Sequence, residues 1–427
     1  MFVVPPFTIF IAKVVELNKL TLDNGLRVVH CYDASTQMVA MDIAYDVGAR
    51  DEHPLRTGFA HLFEHLMFGG SANIPDYDTP LQMAGGESNA WTNNDITNFY
   101  LTLPACNAET AFWLESDRMW QLDPSGKSLD VQREVVMEEF KQRCLNRPYG
   151  DVSHLLRSAA YQIHPYRWPT LGKELSHIAS ATAEEVADFF ERHYAPNNAV
   201  LAVTGRITWD DVQALAERWF GPIPSRPLAD RRLPQEPPQT EERRMTVERN
   251  VPIDGLYMAY HVAGRDEGAD FRAADMLSDI LGNGASSRLT RRLVQQRQLF
   301  SSIDAFVSGE RDPGLLHIWG RPSAGVTLEQ AEAAVRYELE QLADDLIPPR
   351  ELEKVKNKYE STHIFGNLNY LNVATNLALY ELMGEAEDIM REVQRYRAVT
   401  AEHLQAVAQQ VFRPDNATIL YYRAAKK

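Results

Sequence analysis

The sequence predicts an α+β protein made of two homologous halves, each a mostly antiparallel sheet with helices on one face. Three observations carry that expectation. An internal repeat pairs Ala49-Arg50-Asp51-Glu52 with Gly264-Arg265-Asp266-Glu267 at an offset of 215 residues. It also pairs Thr182-Ala183-Glu184 with Thr400-Ala401-Glu402, and Pro196-Asn197-Asn198-Ala199 with Pro414-Asp415-Asn416-Ala417, at an offset of 218. Between the copies, Pro222, Pro224, Pro227, Pro234, Pro237 and Pro238 crowd a stretch that neither a helix nor a central strand tolerates. Within each copy, short apolar or alternating runs are interleaved with long helical patterns. The expected division is residues 1–222, a proline-rich linker at 223–244, and residues 245–427.

The elements follow in order. Leu26–His30 and Val39–Tyr45 read as strands, the second ending at the Gly48 turn. Phe99–Leu103 alternates as a half-buried strand and stops at Pro104. Helical patterns run over Asn107–Leu122, Ser128–Leu145 and Ala183–Tyr194, with Thr182 as N-cap of the last. Ala199–Thr204 closes the first copy as a strand, and Ala417–Tyr422 closes the second.

The chemistry concentrates in His61-Leu62-Phe63-Glu64-His65. Histidines at i and i+4 project from one face of a helix, the spacing at which one zinc ion takes a nitrogen from each. Glu64 lies beside them, placed to act on a water rather than on the metal. The order His-x-x-Glu-His reverses the commoner His-Glu-x-x-His and is a zinc-peptidase signature. Two solvated surface histidines would show the same spacing, so the repeat is informative. At the 215-residue offset His61, Glu64 and His65 fall on Met276, Asp279 and Ile280, so the second copy keeps the scaffold without the ligands. A third ligand should be a carboxylate, and Glu138 and Glu139 in Arg133-Glu134-Val135-Val136-Met137-Glu138-Glu139 supply it. Adjacent helical residues point about 100° apart, so only one can face the metal. Helix geometry alone leaves the choice between them open.

Composition removes other classes. The chain has 427 residues, 44% hydrophobic and 24% charged, the balance of a folded globular protein with room for two cores. A net charge of -16 with no basic tract argues against a nucleic-acid partner. Cys31, Cys106 and Cys144 are an odd number without CxxC spacing, which excludes a disulfide framework and a cysteine zinc site. No apolar run is long enough to span a bilayer. The start, Met1–Ala12, is apolar but Pro-broken and lacks a charged n-region, so the default expectation is cytoplasmic, with periplasmic the alternative if a leader is truncated or mis-assigned.

Over nearly its whole length the sequence resembles the inverzincin zinc metallopeptidases of the insulinase and pitrilysin type, particularly the short bacterial branch related to mitochondrial processing peptidase. The resemblance rests on His61-x-x-Glu64-His65-Leu66-x-Phe68 and on Gly85-Gly86-x-x-Asn89-Ala90-x-Thr92-x-x-Asp95-x-Thr97-x-x-Tyr100. It continues through Arg133-Glu134-Val135-Val136-x-x-Glu139, His164-Pro165-Tyr166, Gly172 and Ser286-Ser287-Arg288-Leu289. It implies one zinc ion per chain held by His61, His65 and Glu139, with Glu64 as general base. Gln132 stands where such proteins often carry a glutamate that supports the ligands. Asn89, Ala90 and Thr92 are implied to be substrate-binding, on an edge strand that adds the substrate as a further strand, with Asn89 and Thr92 holding the substrate backbone.

The family pattern also expects an Arg and a Tyr seven residues apart after the Ser-Ser-Arg-Leu turn, the Tyr helping to stabilise the oxyanion. Here those positions are Val294 and Ser301. The expectation is therefore a zinc-dependent endopeptidase acting on peptides or unfolded segments, as the zinc-bearing subunit of a pair. The favoured partner is a zinc-less homologous chain that supplies Arg and Tyr, forming half of a clamshell with it; a homodimer is the alternative. The rival reading is a retired, processing-peptidase-like subunit with a binding or structural role.

Overall fold

The computed structural model describes residues 16–122, 127–228 and 230–425; the apolar segment Met1–Ala12 lies outside them. Among the described residues the strands form two sheets. The first contains β1 (Leu17–Thr21), β2 (Arg27–Tyr32), β3 (Met38–Tyr45), β4 (Glu87–Thr92), β5 (Thr97–Pro104) and β6 (Ala199–Gly205), in the order β1-β2-β6-β3-β5-β4. The second contains β7 (Arg243–Arg249), β8 (Gly255–Val262), β9 (Phe300–Val307), β10 (Gly314–Pro322) and β11 (Ala417–Ala424), in the order β7-β11-β8-β10-β9. Removing β1 makes the two orders identical. Even the parallel pair recurs, β2 with β6 and β7 with β11, among otherwise antiparallel neighbours. The repeat is thus a duplicated topology.

The helices are α1 (Phe59–Leu66), α2 (Asp78–Met83), α3 (Ala108–Trp120), α4 (Lys127–Phe140), α5 (Val152–Ala160), α6 (Leu175–Ala179) and α7 (Ala183–His193). They continue as α8 (Trp209–Trp219), α9 (Ala269–Leu281), α10 (Leu328–Asp344), α11 (Pro349–Gly366), α12 (Tyr370–Met383), α13 (Asp388–Arg397) and α14 (Ala401–Val411). A π-helical turn, Lys141–Leu145, extends α4 to the end expected from sequence. The proline-rich stretch from Gly221 to Thr240 carries neither helix nor strand among its described residues.

Two compact units result. The first comprises the described residues up to Met137, then Thr170–Arg231 and Ser361–Arg391; the second comprises Glu138–Pro169, Arg232–Glu360 and the described residues from Glu392 onward. Each unit draws on both repeats, because each repeat lends a helix to the other's sheet. In the first unit Val39, Met41, Ile43 and Tyr45 of β3 face one layer with Phe59, Leu62, Phe63 and Phe112. Ala40 and Ala44 face the other way, where Ala374, Leu377 and Ala378 of α12 cover them. A central strand apolar on both faces needs cover on both. In the second unit Leu256, Met258 and Tyr260 of β8 pack in one core, while Tyr257 and Ala259 meet Val152, Leu156 and Ala160 of α5. So the helices expected on one face are joined by a helix on the second.

The repeated anchors have identifiable jobs. Thr182 caps α7 by accepting the N–H of Glu185, and Thr400 caps α14 by accepting that of His403. Asn198 donates its amide to the carbonyls of Asp46 and His193; Asn416 donates to those of His261 and Val411. The 49–52 anchor holds a hairpin tip: the N–H groups of Ala49 and Arg50 donate to Asn93 and Asn94, as those of Arg265 and Asp266 donate to Glu310 and Arg311. This pairs Gly48 with Gly264, one residue out of register with the sequence match. A Cβ at Gly48 would sit 2.5 Å from the Asn94 backbone, and one at Gly264 2.1 Å from Arg311 O.

Candidate metal centre

Helix α1 starts at Gly58, whose φ of 90° only glycine adopts readily. The buried Glu52 carboxylate accepts the N–H of Gly58 at 2.8 Å and that of Ala60 at 2.9 Å. It thereby satisfies donors that the first turn cannot pair and sets a negative charge at the positive end of the helix. Phe59, Leu62, Phe63 and Leu66 anchor the helix in the core, and the Phe63 ring lies 5.0 Å from that of Tyr194. With that face fixed, His61 and His65 emerge together, their rings 4.9 Å apart and nearly perpendicular. His61 is buried and His65 half-buried.

Helix α4 brings the carboxylate. Val136 is fully buried and fixes the roll of the helix, which turns Glu139 inward and Glu138 outward. Glu138 pairs with Lys141 at 3.4 Å in solvent, whereas the less exposed Glu139 pairs with Arg143 at 2.8 Å. Ligand atoms of His61, His65 and Glu139 all lie within 4.8 Å of one another. Among the described residues this is the single group of three or more His, Cys, Asp or Glu side chains so arranged. Two imidazoles and one carboxylate are a donor set that zinc accepts with an open fourth position, and the spacing fits bonds of about 2.0–2.2 Å after small side-chain rotations.

Glu64 lies outside this cluster. Its Oε2 accepts a hydrogen bond of 2.7 Å from Thr92 Oγ1, at the end of β4. Asn89, Ala90 and Thr92 all lie on β4, the terminal strand of the first sheet. Its inner side pairs with β5, Asn89 opposite Tyr100 and Ala90 opposite Phe99, and no strand follows it on the outer side among the described residues. Ala90 packs against the α1 core and Trp91 against the α12 core, so alternation puts Thr92 on the metal-centre face and Asn89 on the opposite one. The Asn89 side chain accepts the N–H of Ala90 at 2.8 Å. Gln132 is half-buried two turns before Glu139.

In the second unit the equivalent positions hold packing residues. Met276 and Ile280 of α9 are buried in the core, and Asp279 pairs with Lys358 at 3.4 Å and with the amide of Asn283. Val294 packs against the same core, and Ser301 Oγ donates to the carbonyl of Arg321 at 3.1 Å. Sequence reasoning missed Glu52 because its capping reaches six and eight residues forward, beyond any local capping motif.

A duplicated α+β scaffold with an inverted His-x-x-Glu-His helix and a glutamate from a second helix defines the class to which the chain is similar: insulinase-type zinc peptidases. Residues 27–174 match the family model described as insulinase (peptidase family M16), and residues 180–359 match that described as the peptidase M16 inactive domain. The chain belongs to this family. It is 27% identical over 412 residues to the zinc protease PqqE of Helicobacter pylori, covering 95% of this chain and 92% of that protein. It is 26% identical to the probable mitochondrial-processing peptidase subunit beta of Schizosaccharomyces pombe, over 87% of this chain and 81% of that one. The crystal structure of a protease from Helicobacter pylori matches with a TM-score of 0.89 at 26% identity, covering 96% of this chain and 100% of the other. No helix among the described residues is long and apolar enough to cross a membrane.

Proposed function

We propose that this chain is a zinc-dependent endopeptidase for peptides or unfolded segments and the zinc-bearing subunit of a two-chain enzyme. The observation that carries the reading is the convergence of His61, His65 and Glu139 beside Glu64, next to the open edge of β4. One zinc ion held by the three ligands would polarise the scissile carbonyl and acidify the attacking water. Glu64 accepts the proton of that water and delivers it to the leaving nitrogen as the amide bond breaks. An extended peptide pairing with the outer edge of β4, beside Asn89 and Ala90, is held through its main chain, which accommodates varied side chains.

Val294 and Ser301 support the two-chain part, since valine carries no donor and the Ser301 hydroxyl is engaged with the carbonyl of Arg321, so neither stands in for the Arg and Tyr. We favour a zinc-less homologue as partner over a second copy. Hydrolysis of a quenched fluorescent peptide by the purified chain, with and without chelator and then with the co-purifying partner, tests the reading. Chelator-sensitive cleavage that rises with the partner is expected. No cleavage in any arm would overturn it in favour of a binding subunit.

A further inference from the structure

We propose that Thr92 is a positioning residue for Glu64, so that the strand on which a peptide docks also orients the general base. The proposal rests on the peptidase reading above and adds a residue to its machinery. Thr92 Oγ1 donates to Glu64 Oε2 at 2.7 Å, a charge-assisted bond of the stronger kind. A β-branched side chain has one or two stable χ1 settings, so the backbone of β4 dictates where this hydroxyl points. That backbone is pinned. Just beyond Thr92, Asn93 accepts the N–H groups of Asp95 and Ile96 at 2.8 Å each, closing a tight hairpin. The hairpin is tied to Ala49 and Arg50 through the carbonyls of Asn93 and Asn94 and through the buried pair Arg50–Asp95 at 3.0 Å. Two residues further on, Glu52 caps α1. The segment 48–52 therefore braces both partners of the Thr92–Glu64 bond, one through the hairpin and one through the helix start.

The second copy is an internal control. At the same 215-residue offset Thr92 answers to Val307, Ala90 to Ala305 and Glu64 to Asp279. The copy that lacks the metal ligands also lacks the hydroxyl, although the strand and its hairpin are kept. Holding one carboxylate oxygen fixes the plane and reach of the other, which must meet the water proton within hydrogen-bond distance.

The test uses Thr92→Val, which replaces the hydroxyl by a methyl group, and Thr92→Ser, which keeps the hydroxyl, in the full chain with any partner that co-purifies. Thr92→Val is expected to lower kcat about 10- to 100-fold, a part of what a general base supplies, with KM within about twofold. Zinc content should be unchanged, Thr92→Ser should recover kcat to within about threefold, and Thr92→Val crystals should show Glu64 in more than one rotamer. A raised KM at unchanged kcat would make Thr92 a substrate-holding residue and overturn the proposal. So would wild-type kcat in Thr92→Val, or loss of zinc from it. Absence of chelator-sensitive hydrolysis in the wild type would overturn the peptidase reading alone, and the Glu64 rotamer in Thr92→Val crystals would still decide the role of Thr92.

Discussion

Helices α1 and α9 occupy the same place in two copies of one topology and do opposite things with it. In α9, Met276 and Ile280 fill the core and the helix is ordinary architecture. In α1, His61 and His65 take those positions, and the helix is held by other means: Glu52 on its first turn and Phe63 among Phe189 and Tyr194. The turn before α9 has Gly268 where the turn before α1 has Glu52, since Glu267 accepts the N–H of Gly264 just as Asp51 accepts that of Gly48. A helix that gives up apolar contacts to present ligands needs a stronger start. The difference teaches which residues serve the scaffold and which serve the site.

The sharpest way to break the comparison is Glu64→Gln against Asp279→Asn. The first should lower peptide hydrolysis by about 10²–10⁴-fold while zinc stays bound. The second should leave the rate unchanged, because Asp279 makes a partly exposed ion pair with Lys358 and a hydrogen bond with Asn283, neither of them a residue of the metal centre. Equal effects in the two copies would end the assignment. Next is Met276→Ala, expected to cost about 2–5 kcal/mol in urea unfolding without altering zinc content. His61→Ala should do the reverse, losing zinc at a smaller cost to the metal-free protein. Asn198→Ala and Asn416→Ala should each cost about 1–3 kcal/mol, since each removes two amide hydrogen bonds to backbone carbonyls, and Asn416→Ala should cost the more because the Asp46 carbonyl keeps the Arg231 guanidinium.

The last contrast concerns Asp42, whose counterpart in the second sheet is Tyr257. Burial pushes the Asp42 carboxyl up to about 7, against the lowering effect of hydrogen bonds from Thr375 and Asn98. Its folded value lies above the unfolded one, so its contribution is full below the ordinary carboxylate range and is lost as pH rises through about 7. Unfolding free energy should fall across that window by at most about 1.4 kcal/mol per pH unit, and Asp42→Asn should flatten the profile. A flat wild-type profile would remove this contrast between the sheets.

Much of the scaffold was legible in the sequence because it depends on local signals. Pro104 ends β5, Thr182 starts α7, and the repeated Asn198 and Asn416 mark the same corner twice. The exchange of α5 and α12 between the repeats was not legible, since an apolar helix face does not say which sheet it covers. In the site, the histidine spacing was readable but the roll of α4 was not. Helix geometry left Glu138 and Glu139 equivalent until the burial of Val136 separated them. The Thr92–Glu64 bond joins a strand to a helix across a loop, and no periodicity carries that information.

The exchange of helices between the repeats has a consequence for synthesis. Asp42 and Thr375 are bonded across 333 residues of chain. A ribosome adding about 5–20 residues per second leaves one face of the first sheet without its helix for on the order of tens of seconds. During that interval Val29, Ala40, Ala44, Val200 and Ala202 have no helix to pack against. The nascent first repeat thus keeps an apolar sheet face uncovered until α12 is made.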